Sequence, residues 1–411
     1  MQFFTRVIAL AAAVPFLAQA TPVKRAPAIG DAVPGKYIVQ LKSGMSGISV
    51  AAHHAKLVKI HAANIHRRSL EEEGAGVEHE YNMGKFVGYS GGFDAATIEE
   101  LKAMPEVVNI EEDSIMTTLE LDARDMTTQS AVDNWGLGSI SSRKRGATDY
   151  IYDNTAGDGS FNYIVDTGVR ASHKEFGGRA SIAYNAVNTK DQDTAGHGTH
   201  VAGIIGGSTY GVAKKTTILS VKVFEGNSGT TATVIKGFEW AVNDIVAKSR
   251  QTKAVINMSL GGAGSTTWDA AVTEAWEQGV LAVVASGNEN VDASTRSPAR
   301  SPEAITVGNV QSNDARYAGS QGSNYGSGVD IFAAGTGIVS SWYTSDSATQ
   351  SLSGTSMASP HVAGLVSYIR GLEGAMSAED VTARVLALAT TGRVTDRRGS
   401  ADRLAYNGNG R

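Results

Sequence analysis

Three short motifs hold residues whose chemistry belongs together. Val165-Asp166-Thr167-Gly168 closes an apolar run. Gly196-His197-Gly198-Thr199-His200 opens a helical pattern through Val201 and Ile204. Gly354-Thr355-Ser356-Met357 opens another, through Val362, Leu365, Val366 and Ile369. A serine hydroxyl alone is a poor nucleophile at neutral pH. It becomes effective when an imidazole takes its proton and a carboxylate fixes that imidazole's tautomer. Asp166, His197 and Ser356 supply one group of each kind, a set suited to acyl transfer and amide hydrolysis. Alone, each motif is weak, since Asp after a strand caps turns and Gly-Thr-Ser caps helices. A helix beginning at Ser356 presents unpaired N–H groups and positive potential, which suit a developing oxyanion. Asn288, in Ala285-Ser286-Gly287-Asn288, follows an apolar strand and offers a second oxyanion donor. Pro360 falls about one turn into the Ser356 helix, where its missing N–H does little harm.

These motifs need a scaffold that brings them together. Short apolar runs predict strands at Tyr163–Asp166, Thr217–Phe224, Ala254–Leu260, Val280–Ala285 and Ala304–Gly308. Amphipathic patterns, such as Thr233–Lys248 and Thr267–Gln278, separate them. That alternation predicts an α/β fold with a doubly wound, mainly parallel sheet covered on both faces. Functional groups in such sheets gather at the carboxyl ends of the strands. The Asp and Asn motifs stand there.

Residues 21–124 read as a separate small domain, rich in charge and holding His53, His54, His61, His66 and His79. Its pattern predicts a strand at Lys36–Lys42, a helix at His53–Leu70 and a strand at Phe86–Phe93. A helix at Thr97–Met104 and a strand at Val107–Thr118 follow. This order suggests a ferredoxin-like α/β sandwich. Ahead of it, Arg6, the apolar Val7–Leu17 and Ala18-Gln19-Ala20 follow the charged, apolar, small-x-small order of a secretory signal peptide. Residues 1–20 are therefore expected to be removed, and 125–411 to form the main domain. The apolar run is too short to span a bilayer as a helix, so the mature chain is expected to be extracellular, monomeric and free of membrane. The chain has no cysteine, which excludes a disulfide framework, a thiol nucleophile and a thiolate metal site. The net charge of −5 and the absence of basic runs interleaved with aromatics argue against nucleic acid as a partner.

The order Asp, His, Ser is that of subtilisin. Further motifs extend the likeness: Trp135-Gly-Leu-Gly-Ser-Ile-Ser, Tyr210-Gly-Val-Ala-Lys-Lys-Thr, Ile256-Asn-Met-Ser-Leu-Gly-Gly and Leu404-Ala-Tyr-Asn-Gly-Asn. From about 125 to 411 the chain resembles the subtilisin superfamily, and within it the proteinase K family. It is most similar to the oryzin-type alkaline proteases of filamentous fungi. Pro34-Gly-Lys-Tyr-Ile-Val and Phe86-Val-Gly-Tyr-Ser-Gly-Gly-Phe resemble the inhibitory propeptide of that family. The resemblance implies a subtilisin-like fold and a serine endopeptidase with Asp166, His197, Ser356 and Asn288 as catalytic residues. It implies that Ser259, Leu260 and Gly261 pair with an extended peptide substrate, with Asn227, Ser228 and Gly229 on its other side. The P1 pocket would be walled by Ser259–Gly262 and Ala285, Ser286 and Gly287. These residues are small and carry no carboxylate, so broad cleavage with an apolar or aromatic preference is expected. No cofactor is implied for catalysis. A structural Ca²⁺ is implied at the carbonyls of Pro302 and Ala304 and the carboxylate of Asp330. Residues 21–124 would inhibit the enzyme until it cuts itself after Arg124, with an earlier trim at Lys24-Arg25.

Some motifs are decoys. Gly88-Tyr-Ser90-Gly-Gly92 fits an esterase elbow but has no helix after it. His197-x-x-His200 lacks the Glu that zincins place after the first His. Asn257-Met-Ser259 is a glycosylation sequon, but it sits on the proposed substrate strand, so a glycan is not expected there. The alternatives to a peptidase are an inactive binding protein on the same fold and a serine esterase.

Overall fold

A computed structural model of the chain describes residues 32–65, 76–83, 86–114 and 126–411. It divides into two compact units, Met1–Asp122 and Ala123–Arg411. The signal pattern at 1–20, the Lys24-Arg25 pair, His66 and the Glu120–Arg124 tail lie outside the described residues.

The first unit runs β1 (Ala32–Leu41), α1 (Gly47–Ile65), β2 (Gly76–Met83), β3 (Phe86–Gly92), α2 (Ala95–Lys102) and β4 (Val107–Ser114). The strands form one antiparallel sheet in the order β2-β3-β1-β4. Val39 and Leu41 of β1, Leu57 of α1, Tyr89 of β3 and Leu101 of α2 fill its core. Asp94 caps α2, its Oδ1 accepting from the N–H groups of Ala96 and Thr97. The helix α1 starts earlier than its apolar pattern, because Ser46 Oγ accepts from the Ser49 N–H. Strand β2 was not expected from the sequence. It is an edge strand in which Glu78, His79 and Glu80 interrupt the apolar alternation, and charge on an edge discourages pairing with other chains. The Gly-x-Ser-x-Gly decoy lies within β3, and, contrary to the expectation, a helix does follow it; α2 starts only at Ala95, so Ser90 is a strand residue and not the strand-to-helix turn an elbow requires. A Cβ at Gly88 would collide with the Val39 carbonyl, so this glycine serves strand packing. Ser90 Oγ is hydrogen-bonded to Tyr81 OH at 2.8 Å.

The second unit opens with β5 (Met126–Gln129), α3 (Trp135–Ile140), β6 (Tyr150–Asp153), β7 (Phe161–Asp166) and β8 (Ala180–Asn185). Next come α4 (His197–Gly206), β9 (Thr217–Lys222), α5 (Thr231–Ala247), β10 (Ala254–Met258), β11 (Gly262–Ala263), α6 (Thr266–Glu277) and β12 (Leu281–Ala285). The rest are β13 (Arg296–Ser297), β14 (Ile305–Val310), β15 (Ile331–Ala334), β16 (Ile338–Ser341), β17 (Thr349–Leu352), α7 (Thr355–Glu373) and α8 (Ala378–Leu388). Seven strands form one sheet in the order β15-β14-β12-β10-β7-β9-β8, and every neighbouring pair is parallel.

Alternation along each strand sends neighbours to opposite faces. Ile164 and Val255 join the core packed by α4, α7 and α8. Tyr163, Val165 and Ile256 join the core packed by α5 and α6. Burial on both faces explains why these strands are continuously apolar. The short helices begin where side chains can cap them: Thr230 Oγ1 accepts from Thr233 N–H, and Ser265 Oγ from Trp268 N–H.

The order of the strands reverses at β7. The chain goes outward from it to β8, returns to β9, then crosses to β10 on the other side. The crevice at the carboxyl ends of β7 and β10 is therefore the natural place for a site.

The helix α7 is buried along most of its length and runs against the middle of the sheet. Pro360 lies in its second turn, later than expected. Its missing N–H would have bonded the Ser356 carbonyl four residues back. That carbonyl instead accepts the Ser259 hydroxyl at 2.9 Å. The proline thus frees an acceptor that ties the Ser356 turn to the end of β10. Among the described residues no helix is long and apolar enough to cross a membrane.

Candidate active site

Asp166 ends β7 and is fully buried. Its Oδ1 accepts from the Thr167 N–H at 2.7 Å and from His197 Nδ1 at 2.8 Å. His197 is the first residue of α4. The start of that helix is held by Asp193, whose Oδ1 accepts from the Ala195 and Gly196 N–H groups. Its Oδ2 accepts from the Thr199 N–H and hydroxyl. Burial alone would lower the His197 pKa. The charge and hydrogen bond of Asp166, with Asp193 behind it, outweigh that and raise it above the ordinary imidazole value.

Ser356 stands in the first turn of α7, whose opening N–H groups have no intrahelical acceptor. Its Oγ donates to the Ser259 carbonyl at 3.1 Å. Among the described residues no hydrogen bond joins Ser356 Oγ to His197. Catalytic hydrogen bonds are often unformed before substrate binds, and a turn about the Ser356 Cα–Cβ bond redirects the hydroxyl. Sheet register supplies the proximity. The last β10–β7 pair is Asn257 with Ile164. Two residues on stand Ser259, which binds Ser356, and Asp166, which binds His197.

Asn288 follows β12, three residues after its end. Its Oδ1 accepts from both the N–H (2.8 Å) and the hydroxyl (3.0 Å) of Thr355. With the oxygen occupied, the amide cannot flip, and Nδ2 is left as the free donor. Thr355 Oγ1 also accepts from the Gly287 N–H at 3.2 Å. Thr355 is a positioning residue that sequence reading missed. Asn324 is another: it is fully buried, and its Oδ1 accepts from the Glu289 and Val291 N–H groups.

A cleft of about 90 Å³ lies beside Ser356. Leu260, Gly261, Gly262, Ala285, Ser286 and Gly287, the residues that the resemblance implies for the P1 walls, are among its lining. Ser259 is not in the lining but binds Ser356 as described. Two charged residues, Glu289 and Arg296, also line the cleft. The walls read from sequence carry no charge, but β13 brings Arg296 to them by pairing with β11. Asn227, Ser228 and Gly229 sit in an exposed turn after β9, outside this lining.

Asp330 directs Oδ2 to the Thr306 N–H at 2.8 Å, on the strand that Pro302 and Ala304 lead into. Burial pushes its carboxyl up to about 6, against smaller opposing effects from Thr306 and Arg403. Among the described residues it has no ion pair. Between Pro302 and Ala304, Glu303 Oε2 is buried without a partner. Underpaired carboxylate oxygens of this kind fit a hard cation. No cluster of three or more His, Cys, Asp or Glu able to hold a metal is present among the described residues.

The decoy residues have structural partners. His200 is fully buried, with Nε2 between the Ile338 and Gln350 carbonyls, and burial lowers its pKa to about 4. Asn257 is fully buried and bonded to Ser259 and Ser359, so the folded chain offers no access for a glycan.

The chain is similar to known proteins. Residues 158–410 match the model of the Subtilase family, and residues 36–119 that of Peptidase inhibitor I9. Alkaline protease 1 of Aspergillus clavatus is 50% identical over 410 residues, covering 99% of this chain and 100% of the relative. Subtilisin-like proteinase Mp1 of Magnaporthiopsis poae is 46% identical, covering 99% of this chain and 98% of the relative. A crystal structure of a cold-adapted subtilisin-like serine proteinase matches with a TM-score of 0.62 and 42% identity. It covers 68% of this chain and 99% of that one.

The His197 ring is expected to titrate above 6.5, the ordinary value, so at any given pH less of it is neutral than for an ordinary imidazole. In a Ser356→Ala background, imidazole NMR against pH reads this directly. Asp166→Asn removes the raising charge and should bring the pKa down. A pKa at or below 6.5, or one indifferent to Asp166→Asn, contradicts this electrostatic account.

Proposed function

This chain belongs to the subtilase family of serine endopeptidases and carries its own peptidase inhibitor, and we propose that Ser356, His197, Asp166 and Asn288 perform the hydrolysis. The observation that carries this reading is the pairing of β7 with β10. It sets the His197–Asp166 hydrogen bond beside the strand end that holds Ser356. Ser356 Oγ attacks the scissile carbonyl while His197 Nε2 takes its proton. Asp166 holds the Nδ1–H and stabilises the imidazolium. The oxyanion receives the Ser356 N–H at the start of α7 and Asn288 Nδ2, whose orientation Thr355 has set. His197 then protonates the leaving amine. Water, activated by the same imidazole, releases the acyl group.

Substrate lies extended along Ser259, Leu260 and Gly261 as an added strand, which gives affinity through main chain with little side-chain choice. Asn227, Ser228 and Gly229 flank its other side. The P1 side chain enters the cleft walled by Leu260–Gly262 and Ala285–Gly287, where apolar and aromatic groups are favoured.

Residues 1–20 act as a secretory signal, 21–124 as propeptide and 125–411 as the extracellular enzyme. The break between compact units at 122/123 supports that division. The β-α-β-β-α-β order and the strand order of the first unit support the ferredoxin-like reading of the propeptide. Parallel sheets have many non-local contacts and fold slowly, so a docked template aids folding.

Ser356→Ala is expected to lower kcat by about 10⁶-fold, the figure for subtilisin itself. Asn288→Ala is expected to cost about 10²–10³-fold, again as in subtilisin. Purified Ser356→Ala proenzyme should remain one species, and added active protease should trim it after Arg124, leaving Asp125 at the N-terminus. N-terminal sequencing checks this, and maturation of the mutant at the wild-type rate excludes self-cleavage.

Asp330 and the carbonyls of Pro302 and Ala304 would hold a Ca²⁺, which would supply a positive charge beside the buried carboxylate. Added Ca²⁺ should raise the melting temperature, because a ligand bound only by the native state stabilises it. Asp330→Ala should shrink that rise. Burial raises the Asp330 carboxyl to about 6 in the absence of a cation, so protons compete with Ca²⁺ for it, and the Ca²⁺ effect should weaken at acid pH, at a value that falls as Ca²⁺ is raised. An equal rise in both proteins removes this site from the account.

A further inference from the structure

The guanidinium of Arg316 is fully buried, and the hydrolysis described above does not use it. Its N–H groups reach three separate segments. Nε donates to the Asp396 carbonyl and Nη2 to Asp396 Oδ2, both at 2.8 Å. Nη1 donates to Asn290 Oδ1 at 2.9 Å and to the Ser323 carbonyl at 2.5 Å. A buried ion pair is weak evidence for stability by itself, because a well-packed apolar side chain often does as well. What an apolar side chain cannot do is hold several acceptors in fixed directions, as the planar fork of an arginine does. The acceptors therefore tell what this arginine is for.

Two of them belong to the segments around the oxyanion donor. Asn290 stands two residues after Asn288 in left-handed backbone, at φ 55°. Asparagine visits that region more readily than most residues. Its N–H donates to the Gly322 carbonyl at 2.9 Å, and its side-chain oxygen is taken by Arg316. Ser323 precedes Asn324, whose side chain holds the Ser286 carbonyl and the N–H groups of Glu289 and Val291. One guanidinium thus ties the turn after Asn288 to the segment that clamps it. Thr355 sets the direction of the Asn288 amide from one side, and Arg316 fixes the backbone that carries it from the other.

Asp396 supplies the counter-charge from the C-terminal segment. Its backbone is left-handed too, at φ 54°, and both its carbonyl and its carboxylate accept from Arg316. An oxyanion donor is effective where it is already aimed, since an unaimed one has to reorganise as charge develops.

We propose that Arg316 is a positioning residue for the oxyanion donor: by gripping Asn290 and Ser323 it holds Asn288 where the developing charge will form. This rests on Asn288 as that donor.

The test uses the mature enzyme and a peptide 4-nitroanilide with phenylalanine at P1. Titration with a serine-directed sulfonyl fluoride counts the active sites, so kcat refers to folded enzyme only. Arg316→Lys keeps the charge but loses the fork that reaches Asn290, and it should lower kcat. Because that variant alters a buried site, a second one cuts the link from the other end. Asn290→Gly leaves the left-handed backbone open and removes the acceptor. It should lower kcat by about tenfold, the size of coupling between neighbours in one hydrogen-bond network, and leave KM within about twofold. Asn290→Asp, which keeps the acceptor, should retain most of kcat, and a loss as large as that of Asn290→Gly overturns the proposal. In an Asn288→Ala background, Asn290→Gly should change kcat by less than about twofold, because the donor it positions is gone. Equal losses in both backgrounds, as a merely structural role requires, overturn the proposal. So does a kcat within about twofold of wild type in Arg316→Lys or in Asn290→Gly. Asn288→Ala by itself leaves Arg316 and Asn290 untouched and tests the reading beneath: full kcat there removes Asn288 as donor, and the proposal with it.

Discussion

A carboxylate with no solvent exposure sits at the centre of the second unit, and the surrounding structure has to make its burial tolerable. Taking an ionised group out of water costs several kcal/mol unless charge and hydrogen bonds replace the lost hydration. Asp166 is given the Thr167 N–H and the His197 Nδ1–H. Behind it lies a second buried carboxylate, Asp193, bound by Thr167, Thr199 and the N–H groups opening α4. Lys222, fully buried and opposite Asp166 on β9, donates to the Thr167 carbonyl at 2.8 Å. The network satisfies Asp166 through Oδ1, leaves Oδ2 buried without a hydrogen bond, and fixes the direction of the His197 ring. The same interactions that permit the burial prepare the base.

The other half of the site depends on a helix start. Helix α7 enters the sheet's core at the residue next to the nucleophile, and almost everything after it is buried. Its first turn is held from three sides. Asn288 takes the Thr355 N–H, Ser259 bonds Ser356 through both hydroxyl and carbonyl, and Pro360 leaves that carbonyl available. Asn288 and Ser259 come from just beyond the carboxyl ends of two central strands, β12 and β10, while Pro360 belongs to α7 itself. A shift of one strand relative to its neighbours would disturb the nucleophile, the oxyanion donor and the cleft together. Rigid packing of the sheet is thus a condition for the chemistry.

The cleft shows a different economy. Its walls are glycine, alanine, serine and leucine, while its charged members arrive from segments that are irregular or only two residues long. Asn324 holds the Glu289 loop by four hydrogen bonds, so that loop is as fixed as the strands it follows. The sheet and its helices hold the residues proposed for the reaction, and the segments around them supply the cleft's charge.

The family and the parallel sheet were legible in the sequence, as was the set of four residues proposed for the reaction, because each leaves a local mark. A strand buried on both faces must be apolar throughout, as Ala254–Met258 is. A nucleophile at a helix start must stand beside the residues that open the helix. The inhibitor's helices and three of its strands carry ordinary periodicity, whereas β2, a charged edge, does not. Other features had no local mark. Thr355 orients Asn288 across 67 positions, and Asn324 holds Glu289 across 35. Arg296 enters the cleft only through a two-residue pairing with Ala263. Residue type and spacing determined which chemistry the chain carries. Which donors are free, which carboxylates are isolated and which charges face the substrate was decided by contacts between distant segments, and those exist only once the sheet has closed.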